Sequence, residues 1–231
     1  MKIALCILTL NERPCLEVIF PSIPKPGAQT GYDELFAIDG NSSDGTVDYF
    51  TSQGIPVLQH SERGRGGAYR TAFSKIEADA YIFLSPDGNE AVEDLHHFRP
   101  LLEEGAHLVI ASRMMKGGFN EEDIHLFKWR KWVSGIFNLM ANLLFRKTGP
   151  YVTDSSNGLR AITRRASEII MLDASEYTSE YQMTIRAMKH RLKIVEFPTV
   201  EGQRVAGETS ARSIPTGLRF LSCLGHELFS G

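Results

Sequence analysis

Four polar clusters each follow a short apolar run: Thr9-Leu10-Asn11-Glu12, Asp39-Gly40-Asn41-Ser42-Ser43-Asp44-Gly45-Thr46, Glu62-Arg63-Gly64-Arg65-Gly66-Gly67 and Ser85-Pro86-Asp87-Gly88-Asn89-Glu90. Carboxylates in such places can ligate a hard divalent cation or accept from the edge of a base, and glycine lets a ligand approach the backbone closely. Each cluster also has a bland reading. Asp39 and Asp44 suit a turn and a helix cap, and Pro86-Asp87-Gly88 suits a turn without a ligand. Their recurrence at one place in the order of elements is what points to a nucleoside diphosphate held with a metal. The Gly64-Arg65-Gly66 loop lacks the third glycine of a dinucleotide fingerprint and follows the third strand instead of the first, so it gives no support to NAD.

The elements that must position these clusters alternate. Residues 2–8 form a continuous apolar run, and Pro14 then stands where a helix can start, with Leu16, Ile19 and Phe20 on one face. Strands are predicted at 34–38, 56–59, 80–84 and 107–111, with helices at 45–53, 68–76 and 92–102. This is an α/β pattern, a mostly parallel sheet with helices on both faces. Ligands of such sheets bind beyond the carboxyl ends of the strands, which is where the four clusters fall. After Ser112 come a Gly117-Gly118 loop, the acidic trio Glu121-Glu122-Asp123 and a long helix from about 127 to 146, ended by Gly149-Pro150. A strand near 158–162, helices near 165–171 and 180–190, a strand at 193–197 and an amphipathic helix from about 215 complete the chain. No repeat interrupts it, so residues 1–231 read as one domain.

The 231 residues are 42% hydrophobic and 23% charged, which excludes disorder. Lys and Arg number 25 against 28 Asp and Glu, a net charge of −3, so nucleic acid is not an expected partner. Three cysteines without a C-x-x-C pair argue against a disulfide framework and fit a reducing cytosol. No segment reaches the roughly 20 apolar residues that a spanning helix needs. The expected location is cytoplasmic, or peripheral at the cytoplasmic face of the membrane.

In order along the chain, TLNER (9–13), IDGNSSDGT (38–46), RGRGGAYRTAF (63–73), FLSPDGNE (83–90), ASRMMKGG (111–118), TDSSNGLRAITR (153–164) and RVAGETSAR (204–212) resemble glycosyltransferase family 2. The pattern is nearest to the dolichyl-phosphate mannose synthase and polyprenyl-phosphate glycosyltransferase branch, of the GT-A fold. The resemblance implies that Asp39 reads the nucleotide base with Glu12 beside it. Thr9, Asn11, Asn41, Gly64, Arg65, Gly66 and Arg113 would then line the nucleotide-sugar site. Asp87 becomes the second acid of the family's D-x-D motif and Asn89 a further ligand for Mg²⁺ or Mn²⁺. Ser85 replaces the first acid, which implies weaker metal affinity, more coordination by the nucleotide phosphates, or lost activity. On the acceptor side Asp154, Asn157 and Arg160 match D-x-x-S-G-F-R, with Asn157 for Ser and Leu159 for the aromatic. Glu180 matches an acid at the start of the next helix, and Arg204, Gly207, Ser210 and Arg212 match an R-x-x-G-x-S-K/R loop that closes near the phosphates. Arg164 and Arg165 read as solvated surface.

The function implied is metal-dependent inverting hexosyl transfer from a UDP- or GDP-sugar to a polyprenyl phosphate, with 1–112 as the donor half and 113–231 as the acceptor half. Asp87, Asp154, Glu180 and Arg204 are the candidate catalytic residues. A lipid phosphate is already anionic and needs positioning by Arg160, Arg204 and Arg212 more than a base. A hydroxyl acceptor, the runner-up, needs a base, and Asp154 or Glu180 is the candidate. A sugar nucleotidyltransferase is disfavoured because no glycine-rich loop follows the first strand, and a non-catalytic subunit is the reading that Ser85 motivates. The stretch 127–147 carries Lys128, Arg130, Lys131, Arg146 and Lys147 and no acid, with Trp129, Trp132 and a run of aliphatic residues between them. It suits a core helix with basic ends or an interfacial helix on anionic lipid, with a membrane surface or a membrane-anchored subunit as partner. Phe119 and Phe127, flanking the acidic trio, are candidates for an acceptor lid.

Overall fold

The computed structural model describes residues 1–124, 129–206 and 213–230. β1 (Ile3–Thr9) is buried at every position, as a strand covered on both faces must be. α1 (Arg13–Ile19) starts on Pro14, β2 (Glu34–Asp39) and α2 (Thr46–Ser52) follow, and β3 (Val57–Gln59) leads to α3 (Arg65–Lys75). β4 (Ala80–Leu84) and β5 (Leu108–Ser112) are also wholly buried. Between them the expected helix at 92–102 is split: a 3₁₀ segment covers Val92–His97, and α4 is Phe98–Glu103. Pro100 sits in the first turn of α4, where its missing N–H has no carbonyl to lose.

α5 (Trp129–Phe145), β6 (Arg160–Thr163), α6 (Arg164–Ile170), α7 (Ser179–Lys189), β7 (Ile194–Pro198) and α8 (Ser213–Phe229) complete the chain. Thr163 caps α6 by accepting from the Ala166 N–H at 3.2 Å. The seven strands form one sheet in the order β3-β2-β1-β4-β6-β5-β7. All pairs are parallel except those of β6, which runs antiparallel to β4 and β5. Two apolar cores flank the sheet because successive side chains of a strand point to opposite faces. Ala4, Cys6 and Leu8 face the core under α3, α5, α6 and α7, while Ile3, Leu5 and Ile7 face the one under α1, α2 and α4. In register, Thr9 lies beside Asp39 and Ile7 beside Leu84, so the loops after β1, β2 and β4 open at one edge.

Candidate active site

β4 delivers the Asp87 loop to that edge. Gly88 has φ +90°, and a Cβ there would lie 2.4 Å from Val205, so the loop needs glycine to pass under segment 201–206. That segment is laced to the loop: Val205 N–H donates to the Asp87 carbonyl at 2.9 Å and Gly202 N–H to the Asn89 carbonyl at 2.8 Å. Arg204 then crosses the site. One of its nitrogens donates to Asp87 Oδ2 at 3.0 Å and another to both oxygens of Glu12 at 2.8 Å. Burial works against its charge, but the bonds and charges of Glu12 and Asp87 outweigh this and raise its pKa.

Asp87 Oδ1 and Asn89 Oδ1 are buried and accept no hydrogen bond from the described residues. Two unsatisfied oxygen acceptors on one loop are the donor chemistry that Mg²⁺ and Mn²⁺ prefer, so the residues present fit such an ion. Among the described residues, Asp173, His226 and Glu227 also cluster at metal-ligand spacing. Their acids are already paired with Arg186 and Lys189 between α7 and α8, away from the strand ends.

Asp39, expected to read the base, is fully buried. Its carboxylate accepts from Thr9 Oγ1 at 3.1 Å, Ser42 N–H at 2.8 Å and Ser42 Oγ at 2.6 Å, and so braces the loop after β2. Asn11, at φ 57°, accepts from Ser43 N–H at 2.8 Å, and Asn41, at φ 65°, is exposed on the rim.

Gly64 and Gly66 are positioned differently from expectation. A Cβ on Gly64 would lie 2.6 Å from the Glu176 backbone, and one on Gly66 would lie 2.0 Å from the Ala174 carbonyl. Their close approach is to the protein's own segment 174–176, not to an open ligand site. Arg65 begins α3 and turns inward, donating to Glu180 Oε1 at 3.1 Å and to Ser85 Oγ. Tyr69 OH donates to the same Glu180 oxygen at 2.7 Å, and the buried Glu180 Oε2 has no partner among the described residues. Glu90, given no role from sequence, accepts from Ser85 N–H at 2.6 Å. Burial, with the Asp87 charge, pushes its carboxyl up to about 8 against the opposing pull of Arg65.

Arg113, expected at the nucleotide sugar, is instead engaged on the acceptor side, where it grips Asp154 at 2.7 and 3.0 Å and reaches Glu201 at 2.8 Å. Burial opposes the Asp154 charge, but Arg113 outweighs it and holds the carboxyl below its ordinary pKa, which makes Asp154 a weak base. Arg160, expected at a phosphate, is fully buried and tied to the carbonyls of Asn157, Glu180 and Ser155 and to Thr184 Oγ1. It is a fold staple and does not line the cleft. Asn157 donates to the Ala111 carbonyl at 2.5 Å. Arg164 also departs from expectation: it donates to the carbonyls of Ala78 and Ile76 and lies over the Tyr81 ring, whereas Arg165 is exposed. Ser210 and Arg212, with Gly207, Lys128 and Phe127, lie outside the described residues. Phe119 is fixed by its N–H to the Thr199 carbonyl at 3.0 Å.

α5 is apolar on two faces. Phe137, Ala141 and Phe145 enter the core, while Trp132, Ile136, Leu139 and Leu143 are exposed, Leu143 at 75%. Asn138 and Asn142, which interrupt the apolar stretch, bind the backbone of residues 152–155. An open cleft of about 640 Å³ runs from Thr153 along Trp132, Ile136 and Leu139 to Met114. Lys131 pairs with Asp123, and Arg130 lies 3.6 Å from Glu121. No described helix is long and apolar enough to cross a membrane.

The sheet order and the oxygen-rich loops at its carboxyl edge define an α/β ligand-binding fold of the GT-A type. Residues 4–170 match the model of Glycosyl transferase family 2, and the chain belongs to that family. It is 30% identical over 228 residues to the uncharacterized protein MJ1222 of Methanocaldococcus jannaschii, covering 95% of this chain and 89% of that one. It is 27% identical over 215 residues to polyprenol monophosphomannose synthase of Mycolicibacterium smegmatis, covering 87% and 77%. Glucosyl-3-phosphoglycerate synthase of Mycobacterium tuberculosis, solved with Mn²⁺, uridine diphosphate and phosphoglyceric acid, shares the fold: TM-score 0.73, 20% identity, 99% of this chain and 78% of that one.

Proposed function

We propose that this chain transfers a sugar, with inversion, from a UDP- or GDP-sugar to a polyprenyl phosphate at the cytoplasmic membrane face. The observation that carries the reading is the pair of unsatisfied buried oxygens, Asp87 Oδ1 and Asn89 Oδ1, under the Arg204 bridge. Asp87 and Asn89 would hold Mg²⁺ or Mn²⁺, and that ion, when bound, supplies charge neutralisation of the diphosphate leaving group. Arg204, already shared between Glu12 and Asp87, has the charge and reach to turn to a phosphate oxygen. Arg113 holds Asp154 ionised and presents the rest of its guanidinium toward Glu201.

The acceptor class is supported by two further facts. A relative over most of the chain is named polyprenol monophosphomannose synthase, and the cleft beside Thr153 continues into the exposed apolar row of α5. A phosphate acceptor, with its second ionisation near about pH 6, brings its own nucleophilic oxygen. It places no demand on Asp154 or Glu180 as a base. Donor recognition falls to residues 1–112 and acceptor recognition mainly to 113–231, although Arg204 from the second half crosses to the donor acids. The test is incubation of the purified chain with labelled UDP- and GDP-sugars, a short-chain polyprenyl phosphate and Mg²⁺ or Mn²⁺. A lipid-extractable product that disappears with chelator is expected. Transfer only to hydroxyl acceptors would replace this reading by the runner-up, and no transfer with any donor would favour a non-catalytic subunit.

A further inference from the structure

We propose that Glu90 is a positioning residue that fixes the Asp87–Asn89 loop by bracing Ser85. This inference rests on the metal reading of that loop. Ser85 is buried at the carboxyl end of β4 and is held from two sides. Its N–H donates to Glu90 Oε2 at 2.6 Å, and its hydroxyl accepts from Arg65. The two braces meet across Gly158, where a Cβ would lie 2.5 Å from Arg65 Nη1 and 2.6 Å from Glu90 Oε1. Arg65 is itself anchored on Glu180 at 3.1 Å, and Glu180 on Tyr69 at 2.7 Å.

The loop is therefore closed end to end: Glu90, its last residue, bonds the backbone of Ser85, its first. Asp87 and Asn89 lie within this closed turn, with one oxygen each unsatisfied. Groups that orient a ligand without touching the metal set the geometry of the ligands that do. A carboxyl at position 90 can do this through its acceptor oxygen alone, which an amide reproduces and a methyl group does not.

The experiment measures Mn²⁺ binding by electron paramagnetic resonance, with and without UDP or GDP, for the unmodified chain, Glu90→Ala, Glu90→Gln and Gly158→Ala. Glu90→Ala is expected to weaken Mn²⁺ binding by roughly 10–100-fold, the range for removing an orienting partner. Glu90→Gln is expected to stay within about threefold of the unmodified chain, since its amide oxygen accepts the same bond. Gly158→Ala, which wedges Arg65 from Glu90 while deleting neither, is expected to weaken binding and keeps the test alive if Glu90→Ala does not fold. Equal losses in Glu90→Gln and Glu90→Ala would assign the effect to charge and overturn the brace, as would unchanged binding in Glu90→Ala. No Mn²⁺ binding by the unmodified chain under any condition would remove the metal reading, and the brace with it.

Discussion

The donor edge and the acceptor side differ in how far their polar groups are satisfied. At the donor edge, Asp39, Asn11 and Asp44 are bonded mainly to the backbone and hydroxyls of their own neighbouring loops, Arg204 spans Glu12 and Asp87, and the loop after β4 leaves one oxygen each of Asp87 and Asn89 without a partner among the described residues. On the acceptor side, charge is cancelled by charge: Arg113 joins Asp154 and Glu201, and the surface beyond is apolar along α5 and α8. The first arrangement leaves two oxygen acceptors open to a cation. In the second, Arg113, Asp154 and Glu201 already hold one another, so these residues must give up one partner to take another. Substitutions on the two sides should therefore fail differently, one in binding and the other in stability.

The largest effect is expected at Asp87. Asp87→Ala removes the carboxylate of the metal loop and should abolish transfer and Mn²⁺ binding, because metal stabilisation of the leaving group is worth several kcal/mol. Thermal unfolding should change little, since among the described residues the Asp87 side chain is bonded only to Arg204, itself a quarter exposed. Retained transfer in Asp87→Ala, or full activity in excess chelator, would break the contrast at its donor end.

Next comes Arg113→Ala. It leaves Asp154 fully buried without its cation, a loss of about 3–5 kcal/mol for a broken buried pair. Denaturant unfolding checks this, and a loss below about 1 kcal/mol, the range of exposed pairs, would show that the acceptor side is not built as described. A smaller effect is expected on α5 and α8. Leu143 is 75% and Phe229 91% exposed, and full burial of such a side chain contributes about 1.5–3 kcal/mol. Leu143→Ser with Phe229→Ser should weaken binding to anionic vesicles in a flotation assay without lowering the melting temperature. Equal flotation of both proteins would remove the apolar rows from the membrane reading.

The same contrast explains what was legible in the sequence. β1, β4 and β5 could be read because strands covered on both faces are continuously apolar, and the polar clusters mark their carboxyl ends. The antiparallel seat of β6 between β4 and β5 could not, because hydrophobic pattern does not name a strand's neighbours. Gly64 and Gly66 announce a close approach, but not that the approaching chain is 174–176. Arg160 carries the same charge whether it faces a phosphate or four internal acceptors, and only the fold brings Thr184 and the carbonyls of Ser155, Asn157 and Glu180 around it. Glu90 was missed because its bond to Ser85 depends on turn geometry, though the five-residue spacing across Pro86-Asp87-Gly88 was a usable signal.

The smallest expected effect is a pH dependence in the cost of Arg113→Ala. Burial alone would raise the Asp154 pKa, and the Arg113 charge with its hydrogen bonds reverses this, so the folded value lies below the ordinary 3.8. An acid with a depressed folded pKa contributes stability that is present above its unfolded pKa and lost as pH falls through the folded one. The pair thus stabilises the protein at neutral pH and progressively less below about pH 4. Without Arg113 the buried carboxyl has every reason to stay protonated to higher pH, and a protonated carboxyl needs no cation. The stability gap between the unmodified chain and Arg113→Ala should therefore narrow between pH 7 and the lowest pH at which both remain folded. Urea titrations across that range measure it. A gap that stays constant would mean that Arg113 acts through packing rather than through the carboxylates it pairs with, and would weaken the distinction drawn between the two sides.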